Sequence, residues 1–173
     1  VLGRSDYTAV ARRNGEFLLD NLTEKGRLLR TYRDGRAKLK GYLEDHAFLI
    51  DGLICLHEAT FESRWLREAI NLGNAMVELF WDEAEGSFFD TGEDHEALIL
   101  RPREVWDNAI PSGSSVATET LLRLAVLCGE GEYARKGTAA LQPMVEMLPR
   151  YPMGFGNWLC VLDFHLSTPK EIA

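Results

Sequence analysis

Three ionisable side chains stand in succession at Glu44-Asp45-His46, directly ahead of the most apolar helix candidate in the chain, Ala47 to Ala59. Unpaired backbone N–H groups and the positive end of the helix dipole favour a carboxylate at such a place. A carboxylate held there is suited to accepting hydrogen bonds from sugar hydroxyls or to acting as a base, and a plain helix cap accounts for the same residues. A second stretch, Arg101 to Ser115, stands in the same relation to the next apolar helix. It carries Arg101, Arg103, Glu104, Trp106, Asp107 and Asn108, followed by Pro111-Ser112-Gly113. Trp106 is either a flat face for a sugar ring or a core filler. Asp107 supplies an acceptor, and Ser112 reads as an N-cap with Pro111 fixing entry into the helix.

If the two turns sit on neighbouring helices, Asp45 and Asp107 lie near the ~8–10 Å interaxial distance. That falls within the roughly 6.5–9.5 Å that an inverting pair of carboxyl groups requires. Epimerisation needs a base on each face of an acidic carbon, a task histidine serves well. Here His46 is the candidate; His57 and His165 fall within apolar helices, and His95 in an acidic hairpin tip. The two-histidine pattern is therefore not met. The candidate catalytic set is Asp45, Asp107 and His46, with Tyr42, Glu44, Arg101, Trp106 and Ser112 as substrate-binding residues. No nucleophile elbow, phosphate loop, dinucleotide fingerprint or metal-ligand spacing occurs, so neither a cofactor nor a metal is expected.

The elements that must position these turns follow from periodicity. Tyr7 to Asn21 reads as a first helix, with Ala9, Val10, Phe17 and Leu18 at helical spacing. The basic run Arg27 to Lys40 reads as a solvated loop, within which Leu28 to Tyr32 could form a short strand and Asp34-Gly35 a turn. Arg64 to Trp81 is amphipathic behind an expected cap at Ser63, as an outer helix would be. Glu85 to Asp90 and Ala97 to Leu100 are expected to pair as a hairpin around the tip Glu93-Asp94-His95-Glu96. Val116 to Cys128 is again apolar, Tyr133 to Leu148 again amphipathic, and Gly154 to Leu166 reads as a third inner helix.

The pattern repeats at an offset of 68 residues, pairing Leu56 with Leu124, Trp65 with Tyr133 and Met76-Val77-Glu78 with Met144-Val145-Glu146. Such a repeat means stacked copies of one helical hairpin. The expected fold is all-α, a partial α/α toroid of about six helices with short β-hairpins in its connections, in a single domain over 1–173. Arg64 to Trp81 and Tyr133 to Leu148 would be the outer layer.

A net charge of −8 argues against a phosphate-binding face of clustered Lys and Arg, and the basic run Arg27 to Lys40 is broken by Gly and Asp, so nucleic acid and anionic membranes are not expected partners. No apolar run approaches the ~20 residues of a membrane span. Cys55, Cys128 and Cys160 are odd in number and far apart, and read as buried reduced thiols of a cytoplasmic protein. The chain opens at Val1 in mid-pattern, as a piece of a longer protein would.

Five stretches together resemble a known family: Tyr32-Arg33-Asp34-Gly35, Gly41 to Ala47, Phe80-Trp81-Asp82-Glu83, Arg101 to Asp107, and Pro111 to Ser115. The chain resembles the C-terminal helical region of the thioredoxin-domain-containing proteins related to spermatogenesis-associated protein twenty. The resemblance implies a six-hairpin toroid similar to the N-acylglucosamine 2-epimerases and several glycosidases. It implies a carbohydrate ligand, with the remaining toroid and a thioredoxin-like domain as partners in cis. Apolar edges near the first helix, Phe155 and Trp158 would then favour self-association of this piece. Two functions stay open: a sugar epimerase, isomerase or glycosidase, and a non-catalytic helical module.

Overall fold

A computed structural model describes residues 4–24, 26–96 and 99–168. The described residues are mostly helical, with six α-helices and small antiparallel sheets. Helix α1 runs Ser5–Asn21, then a three-stranded sheet is built from β1 (Thr23–Glu24), β2 (Arg27–Arg33) and β3 (Arg36–Lys40). Helices α2 (Leu43–Thr60) and α3 (Ser63–Phe80) form one hairpin. A two-stranded ribbon, β4 (Trp81–Asp82) and β5 (Ser87–Phe88), follows. Helices α4 (Gly113–Cys128) and α5 (Gly131–Leu141) make a second hairpin, and α6 (Gly156–Leu166) closes the series.

The two hairpins are built alike because they turn alike. Helix α2 ends at Phe61 with φ +56°, and α4 ends 68 residues later at Gly129 with φ +70°. Glu62 and Glu130 follow as the N-caps of α3 and α5. The cap expected at Ser63 thus lies one residue earlier. The left-handed residue before it reverses the chain, and the Glu62 carboxylate meets Arg12 at 3.0 Å and Arg64 at 3.3 Å. Phe61 does with a Cβ what glycine does without one at 129, while its ring is 84% exposed. Left-handed backbone costs a non-glycine residue about 1 kcal/mol or more. Phe61→Gly is therefore expected to raise unfolding free energy by about 0.5–1 kcal/mol. A urea midpoint that fell, at unchanged m, would show that the ring carries a contact worth more than the strain.

Contacts along their length make α2 and α4 parallel and in register. At one end, a Cβ on Gly113 would stand 3.0 Å from the backbone nitrogen of Glu44. Further along, Arg123 pairs with Asp51 and with Glu58 at 3.0 Å, and reaches Cys55, 68 residues away, at 3.9 Å. Helix α6 starts at the same end of the molecule, where Asn157 donates to Ser115 at 3.2 Å and to Glu119 at 3.3 Å. The N-termini of α2, α4 and α6 are thereby gathered together. Among the described residues, no helix is long and apolar enough to cross a membrane.

Several expectations are corrected by the packing. The basic run is paired along most of its length rather than looped, and its short strand and turn fall where expected: Asp34 and Gly35 both take positive φ, the backbone of a tight two-residue turn, and β2 pairs with β3 from Leu29↔Lys40 to Arg33↔Arg36. The second ribbon joins Trp81↔Phe88 and Asp82↔Ser87, so Ser87 and Phe88 pair with the residues that follow α3. Ala97 and Leu98 lie outside the described residues, and Ile99 and Leu100 are exposed. The last amphipathic helix stops at Leu141 and tightens into a 3-10 turn over Gln142–Glu146, because Pro143 has no N–H with which to continue the α ladder. Cys55 and Cys160 are exposed and Cys128 is half-buried, so apolar neighbours in sequence did not place these thiols in the core. Phe155 and Trp158, expected at an edge, are fully buried, because both pack into a second core cluster with Leu141, Met144 and Leu148.

Candidate functional site

The starts of α2 and α4 frame a cleft of about 630 Å³. One wall is the first turn, with Tyr42 and Glu44; the other is the second, with Glu104, Trp106 and the Pro111-Ser112-Gly113 entry to α4. Arg30 reaches in from β2, and Asp90 from the chain just after β5. Gly113 lets the two turns approach this closely, since any side chain there would press on the Glu44 backbone.

Backbone bonds fix the carboxylates in place. Leu43 donates its N–H to the Asp90 carbonyl at 2.9 Å, tying the ribbon to the start of α2. Asp90 Oδ2 accepts from the Glu104 N–H at 2.9 Å, and Glu104 Oε1 accepts from the Trp106 N–H at 2.8 Å. Burial pushes the Asp90 carboxyl above the usual carboxylate range; the Glu104 N–H works against this, and the nearby Glu104 and Glu44 reinforce it. Arg30 is spent on one side of the cleft, donating to Glu44 at 2.8 Å and Asp45 at 2.9 Å while lying over the Tyr42 ring. Trp106 is 41% exposed, stacked on Phe155 with ring centres 4.4 Å apart and edge-on to Tyr151. The result is an acidic pocket with one exposed indole face.

Of the candidate catalytic and substrate-binding residues, Tyr42, Glu44, Trp106 and Ser112 meet in this cleft. Asp45 does not line it. Its Oδ2 accepts from the Tyr42 N–H at 2.8 Å, closing the first turn of α2, and the residue lines a neighbouring groove. His46 is fully buried beneath the turn. Its Nδ1 lies 3.0 Å from the Tyr42 carbonyl and its Nε2 3.1 Å from Arg27 Nη1. Asp107 also sits outside: Oδ1 accepts from the Ser112 N–H and the Ser115 hydroxyl, both at 2.8 Å, while Oδ2 accepts from the N–H groups of Asn157 at 2.8 Å and Trp158 at 3.3 Å. One carboxylate thus ties the entry of α4 to the start of α6. Arg101 turns back to the carbonyls of Thr91 and Leu79 and lies over Phe89, with Arg103 over the same ring. Ser112 is the cap expected, its hydroxyl accepting from the Ser115 N–H at 3.1 Å. Asp90 was not anticipated at all. No spacing signals it, because its place depends on a backbone bond to Leu43 across the fold. Among the described residues, no group of three or more His, Cys, Asp or Glu is placed to hold a metal ion.

Fold and site define a class: a domain of stacked helical hairpins whose parallel helices present their N-terminal turns around one acidic, aromatic cleft. The sequence is 32% identical to spermatogenesis-associated protein 20 of Homo sapiens and 33% identical to that of Rattus norvegicus, in each case over 99% of this chain and 23% of the relative. The Mus musculus protein of the same name is 32% identical over the same shares. The chain is therefore related, along almost its whole length, to the spermatogenesis-associated protein 20 family. It spans about a quarter of the length of the curated relatives it matches. No protein-family model matches it.

Proposed function

We propose that the cleft binds a carbohydrate, and that α2, α4 and α6 are successive inner helices of an α/α toroid resembling sugar-processing epimerases, isomerases and glycosidases. The observation that carries the reading is the convergence of Glu44, Asp90 and Glu104 beside the exposed face of Trp106 in one cavity of about 630 Å³. Carboxylates accept hydrogen bonds from hydroxyl groups, and an indole face covers the apolar side of a pyranose ring. The toroid is supported by the 68-residue register of the two hairpins and by the family relation. If the site also turns over its ligand, Asp90 is the group disposed to hold and deliver a proton, being half-buried beside other carboxylates. Asp45, Asp107 and His46 then act by positioning the two turns.

Binding without turnover is favoured by one feature. The Asp107 carboxylate is engaged on both oxygens and His46 is enclosed, so neither offers a free base. On that reading the domain is a non-catalytic module serving the thioredoxin-like domain implied by the family resemblance.

Titration of this chain with glucose, mannose and N-acetylglucosamine, followed by indole fluorescence, tests the proposal. Glu104→Gln keeps the acceptor for the Trp106 N–H and removes the charge. It is expected to weaken binding roughly tenfold, the difference between a charged and a neutral acceptor, with little change in unfolding free energy. Saturable binding that Glu104→Gln leaves untouched would move the site elsewhere, and no binding of any of the three would defeat the carbohydrate reading.

A further inference from the structure

A second cavity of about 510 Å³ adjoins the cleft. It runs between α1, the β2 strand and α2, and its walls are largely aliphatic and aromatic, among them Leu18, Leu29, Phe48, Leu49 and Leu53. Its polar groups are few; Arg30, Glu44 and Asp45 cluster among them as the ion-paired side chains already described. Arg30, Glu44 and Ile110 line both cavities. The acidic cleft and the apolar groove therefore meet at the Arg30–Glu44 pair, with Ile110, 60% exposed, beside it. Phe48 is 38% exposed on the groove wall. A large apolar hollow opening beside a polar one is the shape of a site for a ligand with two unlike ends.

We propose that the two cavities form one bipartite site for an amphiphile, with a sugar head in the cleft and an alkyl or aryl group in the groove. The proposal rests on the carbohydrate reading of the cleft and adds the class of ligand: a glycoside with an apolar aglycone, rather than a free sugar or an oligosaccharide. A second sugar ring would meet few partners for its hydroxyls among leucines and phenylalanine, and leaving them unpaired is costly. An alkyl chain gains from each methylene buried there. The Arg30–Glu44 pair divides the two regions, so a ligand spanning both crosses it at the junction between head and tail.

Gly52 provides a block that spares the fold. It lines the groove from the middle of α2, and a Cβ built on it meets nothing within 4 Å. Gly52→Leu therefore puts a side chain into open space, and leucine favours helix over glycine. The test is calorimetric titration of this chain with methyl, hexyl and octyl β-glucoside, each below its micellar concentration. Affinity is expected to rise about fourfold per methylene added. Gly52→Leu should flatten that dependence while helical circular dichroism and the urea midpoint hold or improve, and Glu104→Gln should weaken all three glucosides. Equal affinity for the three glucosides overturns the proposal and leaves sugar binding in the cleft intact. A length dependence that survives Gly52→Leu also overturns it, since the tail then lies elsewhere. Octyl glucoside unaffected by Glu104→Gln puts the head outside the cleft, with the same result. Failure of every glucoside to bind defeats both this proposal and the carbohydrate reading beneath it.

Discussion

Asp107→Ala is expected to lower the unfolding free energy by about 3 kcal/mol, among the larger effects of any single polar substitution in the domain. The carboxylate accepts four hydrogen bonds, and three come from backbone N–H groups at the starts of two different helices. Deleting a cap alone costs about 1 kcal/mol. Here the loss falls on α4 and α6 together and leaves partly buried donors unpaired, each worth about 1 kcal/mol or more. Asp107→Asn should cost less but remain clearly destabilising, because its amide NH2 must face donors on one side. Urea unfolding measures the totals, and amide exchange locates them: protection should fall first at Asn157 and Trp158. A variant as stable as the parent would mean that water replaces the carboxylate at both helix ends. It would also restore Asp107 as a candidate for chemistry.

Stability is expected to fall by about 3 kcal/mol as pH drops from 6.5 to 4, owing to His46 alone. Burial lowers its pKa to about 4, and the nearby Arg27 and His95 add to this, while the Tyr42 carbonyl and Asp94 oppose it. The geometry explains the preference for the neutral ring. With Nδ1 donating to the Tyr42 carbonyl, Nε2 is the acceptor for Arg27, and a proton on Nε2 would set donor against donor. The Phe80 ring, 5.0 Å away, offers the charge no hydration. Between pH 6.5 and about 4 the unfolded chain binds a proton that the folded one refuses. Stability therefore falls as pH falls through this window and is independent of His46 above it. Burial works to raise the Asp94 carboxyl, but Arg27 and Lys40 outweigh it and hold the group below its usual range. The check is the slope of unfolding free energy against pH from 6.5 to 4.5, in the parent and in His46→Gln. The parent should approach one proton, and the variant should lose most of that slope. Equal slopes would show that the ring is solvated.

Much of the scaffold was legible in the sequence because it rests on local interactions. The 68-residue repeat follows from apolar periodicity, which each helix expresses whatever its neighbours do. The Asp34-Gly35 turn and the Ser112 cap are also local, each formed by residues within a few positions of one another. The same reasoning found a short strand and a turn in the basic run but read the run as a whole as a loop. Its strand character depends on β2 pairing with β3, and Arg27 is held by Asp94, 67 residues on.

The sequence by itself determined the helical class, the hairpin repeat and the two charged turns that open α2 and α4. Tertiary structure alone decided which side chains those turns present. Asp45 and Asp107 looked alike as acids ahead of apolar helices, but Asp45 is taken by the Tyr42 N–H and Arg30, and Asp107 by backbone N–H groups that include a helix start 50 residues away. His46 looked like a base at a cavity mouth and is sealed by Arg27 and Phe80. Asp90 carried no signal and reached the cleft through one backbone bond to Leu43. Residue type and spacing record what a side chain could do. Which carboxylates stay free of the backbone is settled by long-range packing, because a free N–H takes whichever acceptor the fold brings within reach.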